Sequence, residues 1–266
     1  MKVKILTIVV LLVILASSIA VCKPKESYLV QVMKLAPEDT LAIGCTDIKA
    51  LANDPDLEYW YDGTIDTSGY MMVDIDASDI SASAAITTDL DYIFILTGDF
   101  NLEDARDALT EEDFVEGEYR GVEIWTNYYE DAVAFIDNMV IAGDKDMVEA
   151  CIRIHNNEEP SMYDNEDMKA VVDKLPVAIV YMVFGPDVIY SIEVLSGSFC
   201  WRNLTSGDGV LDMLCWFKFD NKASAEAAMT EGIEDDLSQE LGFTITDAHL
   251  RGQFIEVTGE VEIPDY

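Results

Sequence analysis

Hydrophobic residues recur along this chain with two periods, and each period predicts one kind of element. Apolar runs and alternating runs bounded by polar turns predict strands, whereas apolar residues every third or fourth position predict helices. In the first part of the chain the predicted strands are residues 41–45, 83–87, 92–97, 119–126, 132–136 and 139–142. The predicted helices are residues 47–61 with a break at Pro55, 102–109 capped by Asn101, 144–154, and 168–175 stopped by Pro176.

The same order of elements then starts again. Strands are predicted at residues 177–184, 198–203, 211–219, 243–250 and 254–262, and helices at 187–195 and 223–241. Residues 90–95 match residues 211–216 in their apolar pattern, and Arg120-Gly121 and Arg251-Gly252 each precede an alternating strand. Strand–strand–helix–strand–strand units of this kind form antiparallel sheets with helices packed on one face. We therefore expect an α+β protein of two related halves, residues 35–176 and 177–266.

The first 22 residues differ from the rest and predict an export signal or a membrane anchor. Two lysines, Lys2 and Lys4, precede an apolar stretch that ends in small residues and Cys22. Three outcomes are open: lipidation of Cys22, cleavage before Val21, or retention of residues 5–22 as a short membrane span. Val21 is larger than the residue usually found before a lipidated cysteine. We expect residues 23–34 to form a tether and the protein to be extracytoplasmic, membrane-anchored or secreted, with membrane contact through this N-terminal segment.

The charge of the chain restricts its partners. Fifty-two acidic residues against 16 lysines and arginines give a formal net charge of −36. Such a surface repels nucleic-acid backbones and anionic lipid headgroups, so nucleic-acid binding is excluded. The favoured partners are cations, cationic peptides or basic protein patches. A solvated surface kept soluble by its own charge is the simpler and favoured explanation of the composition.

Four cysteines follow the N-terminal segment, and sequence alone leaves their state open. Cys200 and Cys215 lie on two apolar runs separated by the turn-rich residues 205–209, so a hairpin would bring them near one another as a disulfide. The alternative is four buried free thiols, because Cys45, Cys151, Cys200 and Cys215 all have apolar neighbours.

Candidate chemistry is sparse. Residues 74–79 resemble the start of a calcium loop, but Asp79 and Ala85 replace the glycine and glutamate that an EF-hand requires, which leaves only loose surface binding of calcium. His155 fits the end of a helix, and His249 lies in a late strand without a neighbouring nucleophile. Asn203 begins a glycosylation sequon. No catalytic, cofactor-binding or metal-binding residue is assigned.

Several short segments resemble a family of uncharacterised extracytoplasmic bacterial proteins, often predicted lipoproteins, that are grouped as a domain of unknown function. The resemblance rests on residues 35–40, 98–100, 119–125 and 134–143, with the helix that follows Asp144. It covers residues 35–184 and implies a surface location and an α+β fold. These motifs mark turns between secondary-structure elements, and the resemblance implies no particular biochemical activity.

These observations predict a non-catalytic binding or interaction module at the cell envelope, with an unknown protein or small-molecule ligand. The alternative is an extracytoplasmic hydrolase or metal-dependent enzyme whose acids assemble only in the folded chain. A structural envelope component is a third possibility. A deep cleft of converging carboxylates would favour an enzyme, whereas an evenly acidic surface would favour a binding module.

Overall fold

The fold is organised around one antiparallel sheet of twelve strands. The computed structural model describes residues 27–54, 56–57, 61, 75, 77–88, 92–186, 188, 193–203, 209–233, 237–238 and 243–263. Across the sheet the strands follow the order β11-β12-β10-β9-β8-β1-β2-β3-β7-β6-β5-β4. The bounds are β1 Ala42–Asp47, β2 Ile80–Thr87, β3 Tyr92–Gly98, β4 Val115–Tyr119, β5 Val122–Thr126, β6 Asp131–Ile136, β7 Met139–Asp144, β8 Val180–Phe184, β9 Ser196–Arg202, β10 Val210–Lys218, β11 Thr244–Arg251 and β12 Phe254–Glu262.

Six α-helices lie within the described residues. They are α1 Tyr28–Met33, α2 Ile48–Ala52, α3 Leu102–Glu111, α4 Lys145–His155, α5 Glu166–Val172 and α6 Lys222–Glu231, with short 3₁₀ turns at Ala77–Asp79 and Met162–Asp164. Polar side chains start these helices, and the cap predicted at Asn101 is present. Asn101 caps α3 by accepting a hydrogen bond from the N–H of Glu103, and Asp144 caps α4 by accepting one from Asp146.

Helices cover both faces of the sheet, and this corrects the expectation that they pack on one face. On one face α1, α4 and α5 bury Val32, Val148 and Val171 against strand residues such as Ile43 and Ile141. On the other face α3 and α6 pack with α2 over separate apolar clusters. Adjacent residues of one strand therefore point into different cores: in β3, Ile95 joins the first face and Leu96 the second.

The strands form one continuous sheet instead of one sheet for each half. β1 and β8 are neighbours where the two predicted halves meet, with Ile43 opposite Val183. The remaining strands extend outward from this pair in both directions, so the prediction of two separate sheets is not confirmed. What the structure shows is a mixed α and β fold built on a single antiparallel sheet.

Most predicted elements within the described residues are present, with two clear exceptions. Residues 28–33, predicted as part of a tether over 23–34, form helix α1, and its residues Leu29, Val32 and Met33 are buried in the core because they face the sheet. Residues 119–126 were expected to form one strand, but Arg120 and Gly121 adopt positive φ angles of 51° and 83° and turn the chain between β4 and β5. Asp137, at φ 53°, forms the predicted turn between β6 and β7. Most of the helix predicted over residues 187–195 lies outside the described residues, as does the end of the one over 223–241.

Candidate functional site

Two exposed tyrosines project from the turn between β5 and β6. Tyr128 is 92% exposed and Tyr129 is 81% exposed. Their rings contact each other edge to face, with centroids 5.6 Å apart and planes 80° apart. Large exposed aromatic side chains leave apolar area in water, which is a feature of contact surfaces in proteins. We call residues 127–131 the tyrosine turn.

A set of hydrogen bonds holds the tyrosine turn in one conformation. The side-chain oxygen of Asn127 accepts from the N–H of Tyr129 at 2.9 Å and from that of Asp131 at 3.0 Å, while its amide nitrogen donates to the Asp131 carboxylate at 2.8 Å. The N–H of Lys145, at the start of α4, donates to the carbonyl of Glu130 at 2.9 Å. Glu130 has a positive φ of 68°, which is uncommon for a residue other than glycine. The turn is therefore closed by its own hydrogen bonds and joined by one more to the start of α4.

Further exposed apolar residues lie at the same end of the sheet. Tyr92, at the start of β3, is 63% exposed, and Val115, at the start of β4, is 68% exposed. Val115 pairs with Thr126, the residue before the tyrosine turn, and Asp131 pairs with Asp144 on β7. This end of the sheet combines aromatic side chains with carboxylates. Such a surface suits a partner that offers both apolar contact and positive charge.

A polar cleft of about 490 Å³ lies on the opposite end of β6 and β7. We call it the α1–α4 cleft, because it lies between the end of α1, the β6–β7 turn and the end of α4. Leu35, Met139 and Ile154 form its buried apolar part. Its polar lining consists of Gln31, Lys34, Asp137, Asn138, His155, Asn157, Glu159, Ser161, Tyr163 and Asp164.

Charges of both signs are placed around the aromatic ring of Tyr163 in this cleft. The ammonium groups of Lys34 and Lys169 lie 5.2 Å and 4.7 Å from the ring centroid. The Asp164 carboxylate accepts hydrogen bonds from the N–H and hydroxyl of Ser161, both at 2.8 Å. These hydrogen bonds, with a smaller effect of the two lysines, lower the pKa of Asp164, so this carboxylate stays ionised.

An arginine network borders the cleft on the side of α4. Arg153 donates to Glu159 at 2.7 Å and to the hydroxyl of Tyr119 at 3.3 Å. The hydrogen bond from Arg153 lowers the pKa of Tyr119. Arg120 pairs with Glu158 on the same surface. These contacts connect the β4–β5 hairpin to the end of α4 and fix one wall of the cleft.

A second cleft, of about 450 Å³, lies between α6 and the segment that enters β9. Its rim carries Glu193, Asp220 and Glu231, and its buried apolar residues include Phe219 and Ile233. Both clefts therefore contain carboxylates. Within the described residues, no group of three or more histidine, cysteine and acidic side chains is arranged to hold a metal ion.

The predicted cysteine pair lies on neighbouring strands, but the register separates the two thiols. β9 and β10 are antiparallel neighbours, with Cys200 opposite Leu214 and Cys215 opposite Phe199. Because adjacent residues of a strand point to opposite faces, the two thiols lie on different sides of the sheet. Both are buried and free in the structure, as are Cys45 and Cys151. This register does not favour the predicted disulfide.

The predicted glycosylation residue Asn203 has its side-chain nitrogen engaged in hydrogen bonds. It donates to both carboxylate oxygens of Asp54, at 3.0 Å and 2.9 Å, and to Asp56 at 2.9 Å. Attachment of a glycan to this nitrogen would require these contacts to break. His155 is exposed at the end of α4, as predicted, and His249 on β11 lies 3.1 Å from Asp247.

Two predictions concern residues outside the described part of the chain. These are the export signal or anchor with Cys22, and the calcium-loop residues Asp74 and Asp76. Among the helices that the structure does describe, none is long and apolar enough to cross a membrane.

The tyrosine turn is the feature that sequence reasoning missed. Its signal was present in the sequence, since Asn127-Tyr128-Tyr129-Glu130-Asp131 places two adjacent aromatic residues in a polar segment between strands. A turn is usually at the surface, so aromatic residues within one are candidates for contact with a partner.

Comparison with known proteins identifies a fold but no activity. No protein-family model matches the chain. It is 35% identical over 99 residues to the uncharacterized protein MJ0635 of Methanocaldococcus jannaschii, and the match covers 35% of each chain. The chain thus matches about a third of the length of this relative. The solved structure of crystal form I of TP0453 has a similar fold, with a TM-score of 0.51 and 9% identity over 87% of this chain and 93% of that one.

Proposed function

We propose that this protein is a non-catalytic binding module of the cell envelope and that the tyrosine turn is its main contact with a partner protein. The proposal rests on one observation: Tyr128 and Tyr129 are exposed to solvent, and hydrogen bonds hold the turn that carries them in one conformation. Tyrosine offers a large contact area with few rotatable bonds, and a turn that is already ordered loses little entropy when it binds. Such residues are the kind that dominate binding free energy in protein interfaces.

Charge specifies the partner further. Glu130, Asp131, Asp144 and Asp146 lie in the tyrosine turn or at the start of α4, with Lys145 between them. The chain as a whole has a net charge of −36. A basic protein surface is attracted by this field, and its arginine or lysine side chains can stack on the tyrosine rings. We therefore propose a partner that presents basic side chains next to an apolar patch.

The proposal includes export and attachment at the membrane through residues 1–22. The support is the order of positive, apolar and small residues in that segment. The first described helix, α1, begins at Tyr28 and is anchored by a hydrogen bond of 2.8 Å from the Tyr28 hydroxyl to the carbonyl of Ile95. Residues 23–27 would span at most about 18 Å, so the folded body would stay close to the membrane surface.

We also propose that the sheet derives from two related halves, residues 35–176 and 177–266. Outward from the β1–β8 pair, the strands run β1-β2-β3 on one side and β8-β9-β10 on the other, and each set is followed along the chain by a helix. A later strand, β7 or β12, then pairs with the third strand of its set. Both helices have an asparagine cap, Asn101 and Asn221. The β4–β5 hairpin is extra in the first half. Arg120-Gly121 and Arg251-Gly252 therefore lie in turns that are not topologically equivalent. The proposal of two related halves rests on the strand order instead.

Site-specific photocrosslinking in cells tests the binding function. A benzoylphenylalanine at position 128 of the full chain should form an adduct with one basic partner protein. The matched control is the same probe at Val177, which is 91% exposed but lies at the other end of the sheet. Equal labelling at both positions, or no adduct at position 128, would remove the tyrosine turn as the contact surface.

Mass spectrometry of the native protein tests the attachment. A diacylglycerol on Cys22, a chain that starts at Val21 and an intact N-terminus in the membrane fraction are the three outcomes compatible with export. An intact chain recovered entirely from the cytosol would contradict export and membrane attachment. The crosslinking experiment would still test the binding function independently.

A further inference from the structure

We infer that strand β4 is a docking edge at which an extended basic segment of the partner protein pairs as an added strand of the sheet. The inference rests on the proposed function, because this segment would belong to the partner that contacts the tyrosine turn. Among the described strands, β4 lies at one end of the sheet and pairs with β5 alone. Residues 115–118 are exposed, so this edge is open to solvent.

The backbone groups of Glu116 and Glu118 point away from the sheet. Arg120 and Gly121, both with positive φ, form the two-residue turn of a hairpin. In such a hairpin Tyr119, the residue before the turn, exchanges backbone hydrogen bonds with β5, and so does every second residue before it. The N–H and C=O groups of Glu116 and Glu118 therefore face outward, and no hydrogen bond from the described part of the chain reaches them. An edge of this kind can accept an extended chain.

The side chains of β4 favour a basic strand over a second copy of this chain. In antiparallel pairing, residues that face outward on one edge lie opposite residues that face outward on the other. Two copies of β4 joined in this way would place glutamates opposite glutamates, and like charges in that position are unfavourable. A strand with lysine or arginine at alternate positions would instead place opposite charges beside Glu116 and Glu118.

Both glutamates keep their charge available for a partner. The ion pairs formed among the described residues include neither Glu116 nor Glu118. Arg106 interacts electrostatically with Glu116, but both of its side-chain hydrogen bonds go to Glu123. A basic segment would therefore supply charge that the fold itself does not place on this edge.

The other side of β4 continues the apolar surface of the tyrosine turn. Val115, which is exposed, lies opposite Thr126, the last residue of β5 before that turn. Gly117 leaves space on the same side, between Val115 and Tyr119, for an apolar side chain of the added strand. A partner segment paired with β4 can thus extend past Val115 towards the two exposed tyrosines.

The opposite edge of the described sheet, β11, is less suited to docking. Its register against β12 shifts between Ile245 and Asp247, and such an irregularity disrupts an edge as a template. Its charged side chains also have partners within the fold, since His249 contacts Asp247 and Arg251 pairs with Glu256.

Calorimetric titration of the full chain with synthetic peptides tests this inference. A peptide of about seven residues in which lysine and valine alternate should bind. A peptide of the same composition with all lysines before all valines should bind at least about tenfold more weakly. N-methylation of the lysine amides, which would face β4, should abolish binding, whereas N-methylation of the valine amides, which would face solvent, should not. If the two methylated peptides bind equally, or the alternating peptide does not bind, the inference is wrong.

Charge reversal assigns the peptide to β4. Glu116→Lys/Glu118→Lys should bind the lysine–valine peptide at least about tenfold more weakly and should gain affinity for an alternating glutamate–valine peptide. The matched control, Glu260→Lys/Glu262→Lys, makes the same change at exposed positions of β12, which has neighbours on both sides, and should bind normally. Equal losses in the two variants would reveal non-specific charge attraction and overturn the assignment.

The docking edge and the tyrosine turn can fail separately. Tyr128→Ala/Tyr129→Ala should still bind the peptide, because β4 is unchanged. Crosslinking from position 128 without any peptide binding would retain the proposed function and remove β4 as the docking edge. Sedimentation of the chain alone gives the remaining outcome. A dimer that Glu118→Pro abolishes would identify a second copy as the occupant and overturn the basic strand.

Discussion

Asn127 and Asp131 close the tyrosine turn through both their side chains and their backbones. The amide of Asn127 donates to the Asp131 carboxylate at 2.8 Å, and the N–H of Asn127 donates to the Asp131 carbonyl at 3.1 Å. The two tyrosines between them are therefore exposed without being loose. An exposed aromatic pair that is already held in one conformation loses little conformational entropy when it binds a partner. The same pair in a mobile loop would lose more.

Asn127→Ala should loosen the turn while both tyrosines stay in place. The substitution removes three side-chain hydrogen bonds, two of them accepted from backbone N–H groups, so the free energy of unfolding should fall by about 2 kcal/mol. Denaturant unfolding gives this value. Asn138→Ala, at the exposed β6–β7 turn, is the control and should change it by less than about 0.5 kcal/mol. Equal effects of the two substitutions would show that Asn127 does not hold the turn.

The Arg106–Glu123 pair should make part of the stability dependent on acid. Arg106 donates two hydrogen bonds to Glu123, both at 2.7 Å, and the indole N–H of Trp125 donates a third at 2.7 Å. These contacts, that of Arg106 foremost, lower the pKa of Glu123. The stability they contribute is therefore complete above the unfolded glutamate pKa of about 4.3 and is lost as the pH falls through the lowered folded value.

Glu123→Gln measures this contribution. At pH 7 the variant should be about 1 kcal/mol less stable than the wild type, a modest value because the pair is 39% and 25% exposed. The difference should shrink as the pH is lowered from 5 to 3, and Arg106→Met should remove most of it in a double-mutant cycle. A difference that stays constant between pH 7 and pH 3 would contradict the assignment.

The four buried thiols should be unreactive in the folded protein. Burial raises the pKa of Cys151 to about 12 and that of Cys200 to about 11, so little thiolate is present at pH 8. A thiol-specific reagent should label Cys45, Cys151, Cys200 and Cys215 only after denaturation, and all four should then react. Loss of two reactive thiols, with a mass lower by two hydrogens, would show that Cys200 and Cys215 form the disulfide after all.

Salt should stabilise the folded protein. With a net charge of −36 the compact state is opposed by repulsion between carboxylates, and added ions screen it. Raising sodium chloride from 10 to 500 mM at pH 7 should raise Tm by about 2–4 °C or more, equivalent to about 1 kcal/mol. The increase should be smaller at pH 4.5, where more carboxylates are protonated. A Tm that falls with salt at pH 7 would contradict this view of the surface.

Elements with strong periodicity could be predicted from sequence, and elements fixed by their neighbours could not. Helix α3 was predicted because its apolar spacing and the Asn101 cap agree. Strand β4, Val-Glu-Gly-Glu-Tyr, was missed because it is exposed and its pattern shows no buried face. Among the described strands it lies at the edge of the sheet and pairs with β5 alone. An edge strand is held mainly by backbone hydrogen bonds, which side-chain patterns do not record.

The faces of the sheet and the site depend on register and on tertiary contacts. In β10, Met213 and Cys215 lie in one core, and Trp216 packs against the other. A strand that is apolar on both sides indicates a sheet covered on both faces, and this was the sign available in the sequence. The face on which Cys200 lies follows from its pairing with Leu214, which no local pattern specifies. The α1–α4 cleft joins segments far apart in the chain, Lys34 with Asp137 and Tyr163, so only the folded structure brings them together.

The central claim is that Tyr128 and Tyr129 supply most of the binding free energy for a basic partner protein. The most direct test is the affinity of the partner recovered by crosslinking, measured with purified proteins against three forms of this chain. The double variant Tyr128→Ala/Tyr129→Ala should bind at least about 100-fold more weakly than the wild type, which corresponds to a loss of about 2.7 kcal/mol. Val177→Ala should bind like the wild type. An unchanged affinity of the double variant would contradict the claim.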